Sequence, residues 1–326
     1  MAKRPRKLTV TQRIMLEVDT RLKAKNYPNH KTYRQFYKHS YRYVQYCRQA
    51  YDCRDYESCC SMEIAQAYAD SLKEQGYTAS TVHTYLAALP MSFHGIELKR
   101  IKKDKRHTAE YIRGRKAPFV PCKDNDLNHP DHDYLVSFQR RVGIRRDELK
   151  KLTGSDFVYD ESGYGCVRVK VGKGGKKNQL NRLNTEEDVE FIRKYFVGKA
   201  PDEKIFPPET FKNHLNLHKL RAESAKEYYR IQVKKIRESP EYAKQLEKEI
   251  IARWNLYNIN PKTGKPKCFN RKNIEGYRVL HGKNREKAKE LGWEEGRFLK
   301  LAVIATSIFK LSHWRNDVAV ASYLLN

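Results

Sequence analysis

Apolar residues recur at helical spacing through residues 10–95, and the pattern predicts helices throughout that stretch. The clearest piece runs from Met62 to Gly76. Ile64, Ala65, Ala67, Tyr68 and Leu72 fall on one stripe, and Gly76 is a natural stop because glycine takes a left-handed conformation at no steric cost. Ser80 or Thr81 is expected to cap the next helix, whose apolar positions are Val82, Tyr85, Leu86 and Leu89, with Pro90 ending it.

The second half alternates types. Pro118, Pro121, Asn128, Pro130 and Asp131 punctuate the chain and mark a domain boundary. Helices are expected over 132–141 and 146–152. Val167 to Val171 alternates and is β-branched, Gly172-Lys-Gly-Gly175 reads as a turn, and Asn178–Leu183 returns, which together predict a β-hairpin. Thr185 is expected to cap a helix ending near Val197-Gly198. Helices resume from about Phe211, including a charged one from Arg237 to Arg253 and a turn at Pro261-Lys-Thr-Gly264. The pattern predicts a mainly α protein with a small antiparallel β-sheet.

Composition narrows the class of partner. The 326 residues suggest two domains, or one with a large insertion. Lys and Arg number 66 against 39 Asp and Glu, a formal charge of +27, and the mean hydropathy is −0.85. Such a chain is expected to bind a nucleic acid, ahead of an anionic membrane surface. Disorder is disfavoured by 11% aromatic residues, 22 of them Tyr. No run approaches the ~18–20 apolar residues of a membrane span, and the basic N-terminus lacks the apolar segment of a signal peptide. No membrane partner is expected.

Two basic runs stand out. Residues 1–8 read as a flexible arm carrying Lys3, Arg4, Arg6 and Lys7. Residues 99–116 hold nine Lys/Arg against Asp104 and Glu110. That run reads equally as a solvated linker and as a tether laying Lys102, Lys103, Lys105, Arg106, Arg113 and Arg115 along phosphates. The seven cysteines are odd in number and show no C-x-x-C, which fits reduced cytoplasmic thiols. Cys47, Cys53 and Cys59/Cys60 could form a zinc set. Spacings of six along a helical stretch do not suit tetrahedral ligation, so packing cysteines and no bound metal are expected.

The candidate chemistry lies in an ordered series: Arg145 opening a helix, Lys173 at the hairpin tip, His218 and Arg221 as His-x-x-Arg, His313, and Tyr323. Singly each is weak; a second His-x-x-Arg, His39 to Arg42, shows how cheap that motif is in a basic chain. Together they supply two guanidinium forks, a lysine acid, two imidazoles and a phenol, a complete set for attack on a phosphodiester. Guanidinium forks match non-bridging phosphate oxygens bidentately. A tyrosine nucleophile stores the bond as a phosphotyrosine, and its phenol, ordinarily of pKa about 10, needs help to ionise. The leaving oxygen needs a proton, which a lysine can give.

At these residues the chain resembles the tyrosine recombinases, or phage integrases. Gly143-Ile-Arg145-Arg-Asp-Glu148-Leu149 is similar to the family's first-arginine box, and Val169-Lys-Val-Gly-Lys173-Gly-Gly-Lys to its hairpin. Ile205-Phe206 with His218-Lys-Leu-Arg221 resembles the histidine–arginine box, and Leu311-Ser-His313 with Tyr323 the last histidine and nucleophile. Leu72 to Leu86 is similar to the family's helical core-binding domain. The resemblance covers roughly 60–326. It departs in four places. His313 precedes Tyr323 by ten residues where nine is usual. Arg221 and His313 are 92 residues apart, so an insertion of some sixty residues intervenes. Ala222 and Glu223 stand where a second histidine is usual. Three residues follow Tyr323, where many relatives carry a segment that grips the neighbouring protomer.

The resemblance implies a basic arm at 1–8, a helical SAM-like core-binding domain at 9–98, a basic linker at 99–125, and a tyrosine-recombinase catalytic domain at 126–326. A helical, basic insertion falls at about 232–298. Residues 222–300 hold 20 Lys/Arg and 11 Asp/Glu, net +9; the insertion reads as a surface excursion, a protomer contact or a DNA-contacting element. The implied function is site-specific DNA integration and excision for a mobile genetic element, without cofactor, by a homo-tetramer on double-stranded DNA in the cytoplasm, at the nucleoid. It leaves room for an accessory directionality factor. Tyr323 would be the nucleophile, Arg145 and Arg221 the phosphate clamp, Lys173 the acid, His218 and His313 proton handlers, and Glu148 a support. The alternatives are a non-catalytic DNA-binding homologue and a type IB topoisomerase-like enzyme.

Overall fold

The computed structural model describes residues 8–27, 30–105, 123–172, 177–260, 263–293 and 296–325. The chain divides into two compact units, Met1–Tyr111 and Ile112–Asn326. The described residues are mainly helical, with a small three-stranded antiparallel sheet.

In the first unit, helices cover Val10–Ala24, His30–Tyr51, Met62–Glu74, Ala79–Leu86 and Leu89–Ser92. Tyr43, Val44, Cys47, Ala65, Leu72, Leu86 and Phe93 form their shared core. Gly76 stops the third helix at φ +77°, with its own N–H on Lys73 O and that of Tyr77 on Leu72 O. Two expectations are corrected. Thr78, not Ser80 or Thr81, caps the next helix; its hydroxyl accepts from the N–H of Thr81, which sits one turn inside. Pro90 does not end that helix but lies in the first turn of the following one, where a missing N–H leaves no bond unmade. The larger difference is at residues 52–61. Helix is interrupted there: Asp52 turns the chain at φ +49°, and only a short 3-10 turn, Glu57–Cys59, follows before Ser61 caps the third helix.

Among the described residues of the second unit, a 3-10 turn, Pro130–His132, leads into helix Asp133–Val142, closed by Gly143, and the short helix Arg146–Leu149 follows. The predicted hairpin is present as β2, Gly165–Val171, against β3, Lys177–Arg182, with Val167 opposite Asn181 and Val169 opposite Gln179. A third strand, β1 at Phe157–Tyr159, pairs with β2; three residues are too few for a readable alternation. Thr185 caps helix Glu186–Arg193, whose end falls earlier than expected.

The long helix Leu217–Glu238 buries Leu220, Arg221, Ala225, Tyr228 and Tyr229. The charged segment expected as one helix across Arg237–Arg253 is two. Pro240 cannot donate a backbone bond, and Ser239 instead caps a new helix, Pro240–Tyr257, through the N–H of Tyr242. The segment expected as a helical insertion is not purely helical, since Tyr277–Val279 pairs with Arg297–Leu299 as a two-stranded ribbon. It packs on the rest of the unit. Leu246, Ile250 and Ile274 pack with Tyr228, Leu301, Ile304 and Phe309, and the Trp293 indole donates to Leu324 O at 2.8 Å. Arg182, 4% exposed at its side chain, joins Asp160 at 2.6 Å to Glu249 of helix Pro240–Tyr257 at 2.9 Å. No helix among the described residues is long and apolar enough to cross a membrane.

Candidate active site

Gly143 makes the first corner of the site. Its φ of +67° ends helix Asp133–Val142, and a Cβ there would sit 3.0 Å from Ser224 Cβ of the long helix. The corner releases Arg145 to cap the short helix Arg146–Leu149. Three residues on, the buried Glu148 carboxylate turns back. It accepts from the Arg145 backbone N–H at 2.8 Å and from Arg145 Nη1 at 2.7 Å. Its other neighbour is Arg221 Nη1, 4.0 Å away. Burial alone would raise the Glu148 pKa. The Arg145 N–H, both guanidinium charges and the Arg145 side-chain bond outweigh it, and the pKa is lowered.

Arg221 is 1% exposed. Its guanidinium donates to Gly143 O at 2.5 Å, Leu311 O at 2.9 Å and the Tyr323 hydroxyl at 3.3 Å. One side chain thus ties the Arg145 turn to the segments bearing His313 and Tyr323. His218 lies one turn earlier on the same helix and keeps an exposed face. Its ring centre is 5.2 Å from that of Tyr323, and that of His313 is 6.1 Å away. Partial desolvation, then the charges of Arg221 and Arg145, lower the His218 pKa, so its neutral, proton-accepting form is favoured. His313 is set by Ser307: the histidine Nδ1 lies 2.9 Å from the Ser307 hydroxyl, which also donates to the His313 carbonyl at 2.7 Å.

Tyr323 is 5% exposed and sits in a π-helical turn, Val320–Leu324. A π turn holds one residue more than an α turn. The ten-residue step from His313 to Tyr323 can be absorbed there.

Lys173 lies outside the described residues. The strand leading to it reaches the site: a Cβ on Gly172 would be 3.5 Å from Glu148 Oε1 and 2.4 Å from Gln179 Oε1, at the end of a flexible side chain that would have to move aside. Strand β3 is tied to the His313 turn. Gln179 Nε2 donates to Ser312 O at 3.1 Å, and the Ser312 hydroxyl to Asn181 Oδ1 at 2.8 Å, with Ser312 held at φ +54°.

Of the expected site residues, Arg145, Glu148, His218, Arg221, His313 and Tyr323 converge. Of the expected DNA contacts, Lys3, Arg4, Arg6, Lys7, Arg106, Arg113 and Arg115 lie outside the described residues. Lys102 and Lys105 are exposed. The Lys103 ammonium folds back onto Leu98 O at 2.5 Å and Ile101 O at 3.0 Å.

Two further residues carry no motif. Gln139 is buried and donates to Ile144 O at 2.6 Å and Leu217 O at 3.1 Å, which joins the Arg145 turn to the start of the long helix. Lys310, fully buried, donates to Arg141 O at 2.6 Å and Arg182 O at 3.1 Å. Burial pushes its pKa down to about 7. A neutral amine has two N–H groups, one for each carbonyl. The only sequence signal for either residue was a polar side chain on an otherwise apolar helical face.

No protein-family model matches the chain, and no curated protein matches it. Among solved structures, the crystal structure of XerA recombinase aligns with 70% of this chain and 85% of its own, at 13% identity and a TM-score of 0.23.

Proposed function

We propose that this chain cuts and rejoins duplex DNA through a 3′-phosphotyrosyl intermediate, as a site-specific recombinase of the tyrosine type. The observation that carries the reading is the Tyr323 hydroxyl held by the Arg221 guanidinium, with the His218 and His313 rings 5.2 and 6.1 Å away. Two guanidiniums share one carboxylate, a net positive site suited to a phosphodiester. In the proposed step the Tyr323 oxygen attacks phosphorus and passes its proton to a neighbouring imidazole. The bond from phosphorus to the 5′ oxygen breaks, and Lys173 protonates that oxygen. Arg145, the more open of the two guanidiniums, meets the non-bridging oxygens first; Arg221 follows by exchanging a carbonyl for phosphate. Fixed donors of this kind give the largest share of such catalysis.

The partner is double-stranded DNA, and the reading extends to a homo-tetramer that integrates or excises a mobile element. The test is a nicked suicide substrate that traps the covalent complex. Wild-type protein should give a denaturation-resistant adduct, and Tyr323→Phe none, with DNA binding unchanged in a gel shift. An adduct that survives in Tyr323→Phe overturns the nucleophile. Absence of any adduct from the wild type favours a non-catalytic DNA-binding protein.

A further inference from the structure

Three cysteines in the first unit remain without a role. The expectation that Cys47, Cys53 and Cys59 only fill space rested on their lying six apart along continuous helix. That premise does not hold. Cys47 is in the last turns of helix His30–Tyr51, Cys53 follows the left-handed corner at Asp52, and Cys59 ends the 3-10 turn. The Cys53 N–H reaches back to Cys47 O at 3.3 Å, folding the loop over the helix end. The Tyr43 hydroxyl donates to Cys59 O at 3.0 Å and fixes the other side. As a result, the three sulfur atoms lie within 4.8 Å of one another, at 0%, 5% and 0% exposure.

We infer that Cys47, Cys53 and Cys59 form a three-thiolate site for a soft divalent ion of the Zn2+ class, which fastens the 52–60 loop to the preceding helix. Zn–S bonds of about 2.3 Å in a tetrahedron put the sulfurs about 3.8 Å apart, so the cluster needs only a small contraction to close on an ion. Thiolates select zinc and other soft ions over hard ones such as Mg2+ and Ca2+. Among the described residues, no fourth Cys, His, Asp or Glu joins the cluster. Each thiol gives up its proton on ligation. Uptake of one ion therefore releases three protons, and affinity rises with pH. The neighbouring group Glu57, Cys60 and His94 is a different case: it is largely exposed, and its His94 and Glu57 already pair at 2.7 Å.

The experiment uses the full chain, reduced and stripped with a chelator, then titrated with Co2+ and with Zn2+. One equivalent of Co2+ should bind, with thiolate-to-cobalt charge-transfer absorption in the near ultraviolet, and Zn2+ should displace it. Cys47→Ser and Cys59→Ser should lose that absorption, while Cys60→Ser and Cys268→Ser keep it. A second measurement does not depend on variants folding. The melting temperature of the wild-type protein should climb with Zn2+ concentration, as for any ligand of the native state. No charge-transfer band and an unmoved melting temperature overturn the site. So does a two-hydrogen mass loss that alkylation maps to a disulfide among the three. The result is independent of strand cleavage, which Tyr323→Phe tests separately.

Discussion

Glu148 and Lys310 are both buried and both have lowered pKa values, so stability rises with pH through each, in separate windows. The Glu148 pKa is lowered in the fold. Its stabilisation is therefore present above the ordinary carboxylate pKa and lost as pH falls through the folded value. Glu148→Gln keeps the shape but leaves two guanidiniums without their counter-charge. We expect adduct formation to fall about 10²-fold or more, since both proposed clamps lose their orientation. The acid limb of the stability curve should also flatten, read by urea unfolding between pH 3 and 6. An unchanged cleavage rate would mean that the arginines orient themselves. Lys310 acts in the same direction at higher pH, because burial disfavours its charged form. Its folded pKa, about 7, lies below the unfolded one near 10.5, so between these values the unfolded chain binds the extra proton. Stability should rise with pH across that window. Lys310→Met removes the ammonium and should abolish the rise from about pH 7.5 to 9.5, with a net gain in stability at the lower end. A Lys310→Met variant with the wild-type slope would place the titration elsewhere.

At the scale of elements, the hairpin and helix Pro240–Tyr257 are joined by one ion triad. Arg182 on β3 holds Asp160, 3% exposed at its side chain, and Glu249, 13% exposed. Removing one member of a buried pair leaves an uncompensated charge, at a cost of about 3–5 kcal/mol. Arg182→Leu should lose about that much in urea unfolding, because Asp160 stays buried. Glu249→Gln should lose less, since Asp160 keeps its partner. Equal losses would show that helix Pro240–Tyr257, not the hairpin, bears the charge. This coupling was not legible in the sequence, where Arg182 is one basic residue among 66. Nor was the division at Ser239-Pro240, because the charge pattern runs through it. The break at 52–61 was hidden by apolar spacing on both sides. What the sequence did carry was local: the stripe of Met62–Glu74, the alternation of Val167–Val171, and the cap at Thr185. Within the site, His218 and Arg221 could be set on one helix face from their spacing of three. The arginine's turn into the core, towards a tyrosine 102 residues away, depends on long-range packing that no local pattern encodes.

The whole molecule carries +27, and on the proposed reading that charge acts through phosphate contacts. Each phosphate neutralised adds about −0.9 to the slope of log affinity against log salt, whatever the DNA sequence. The slope therefore counts contacts and can separate three neighbouring lysines. Lys102 and Lys105 are exposed, whereas the Lys103 ammonium is held by Leu98 O and Ile101 O. The loop itself is fixed by Gln66, which takes the Lys102 N–H at 2.7 Å and returns a bond to Lys102 O at 3.1 Å. The backbone bearing Lys102 thus has a set position. If Lys102 and Lys105 both meet phosphates, Lys102→Ala with Lys105→Ala should make the slope shallower by about 1.8 and leave site preference unchanged. Lys103→Ala should leave the slope as it is and lower the melting temperature of the first unit instead. Fluorescence anisotropy on one duplex at five salt concentrations reads both variants against the wild type. A slope that responds to Lys103→Ala but not to the pair would turn the loop over, with its carbonyl-bound lysine released to the DNA.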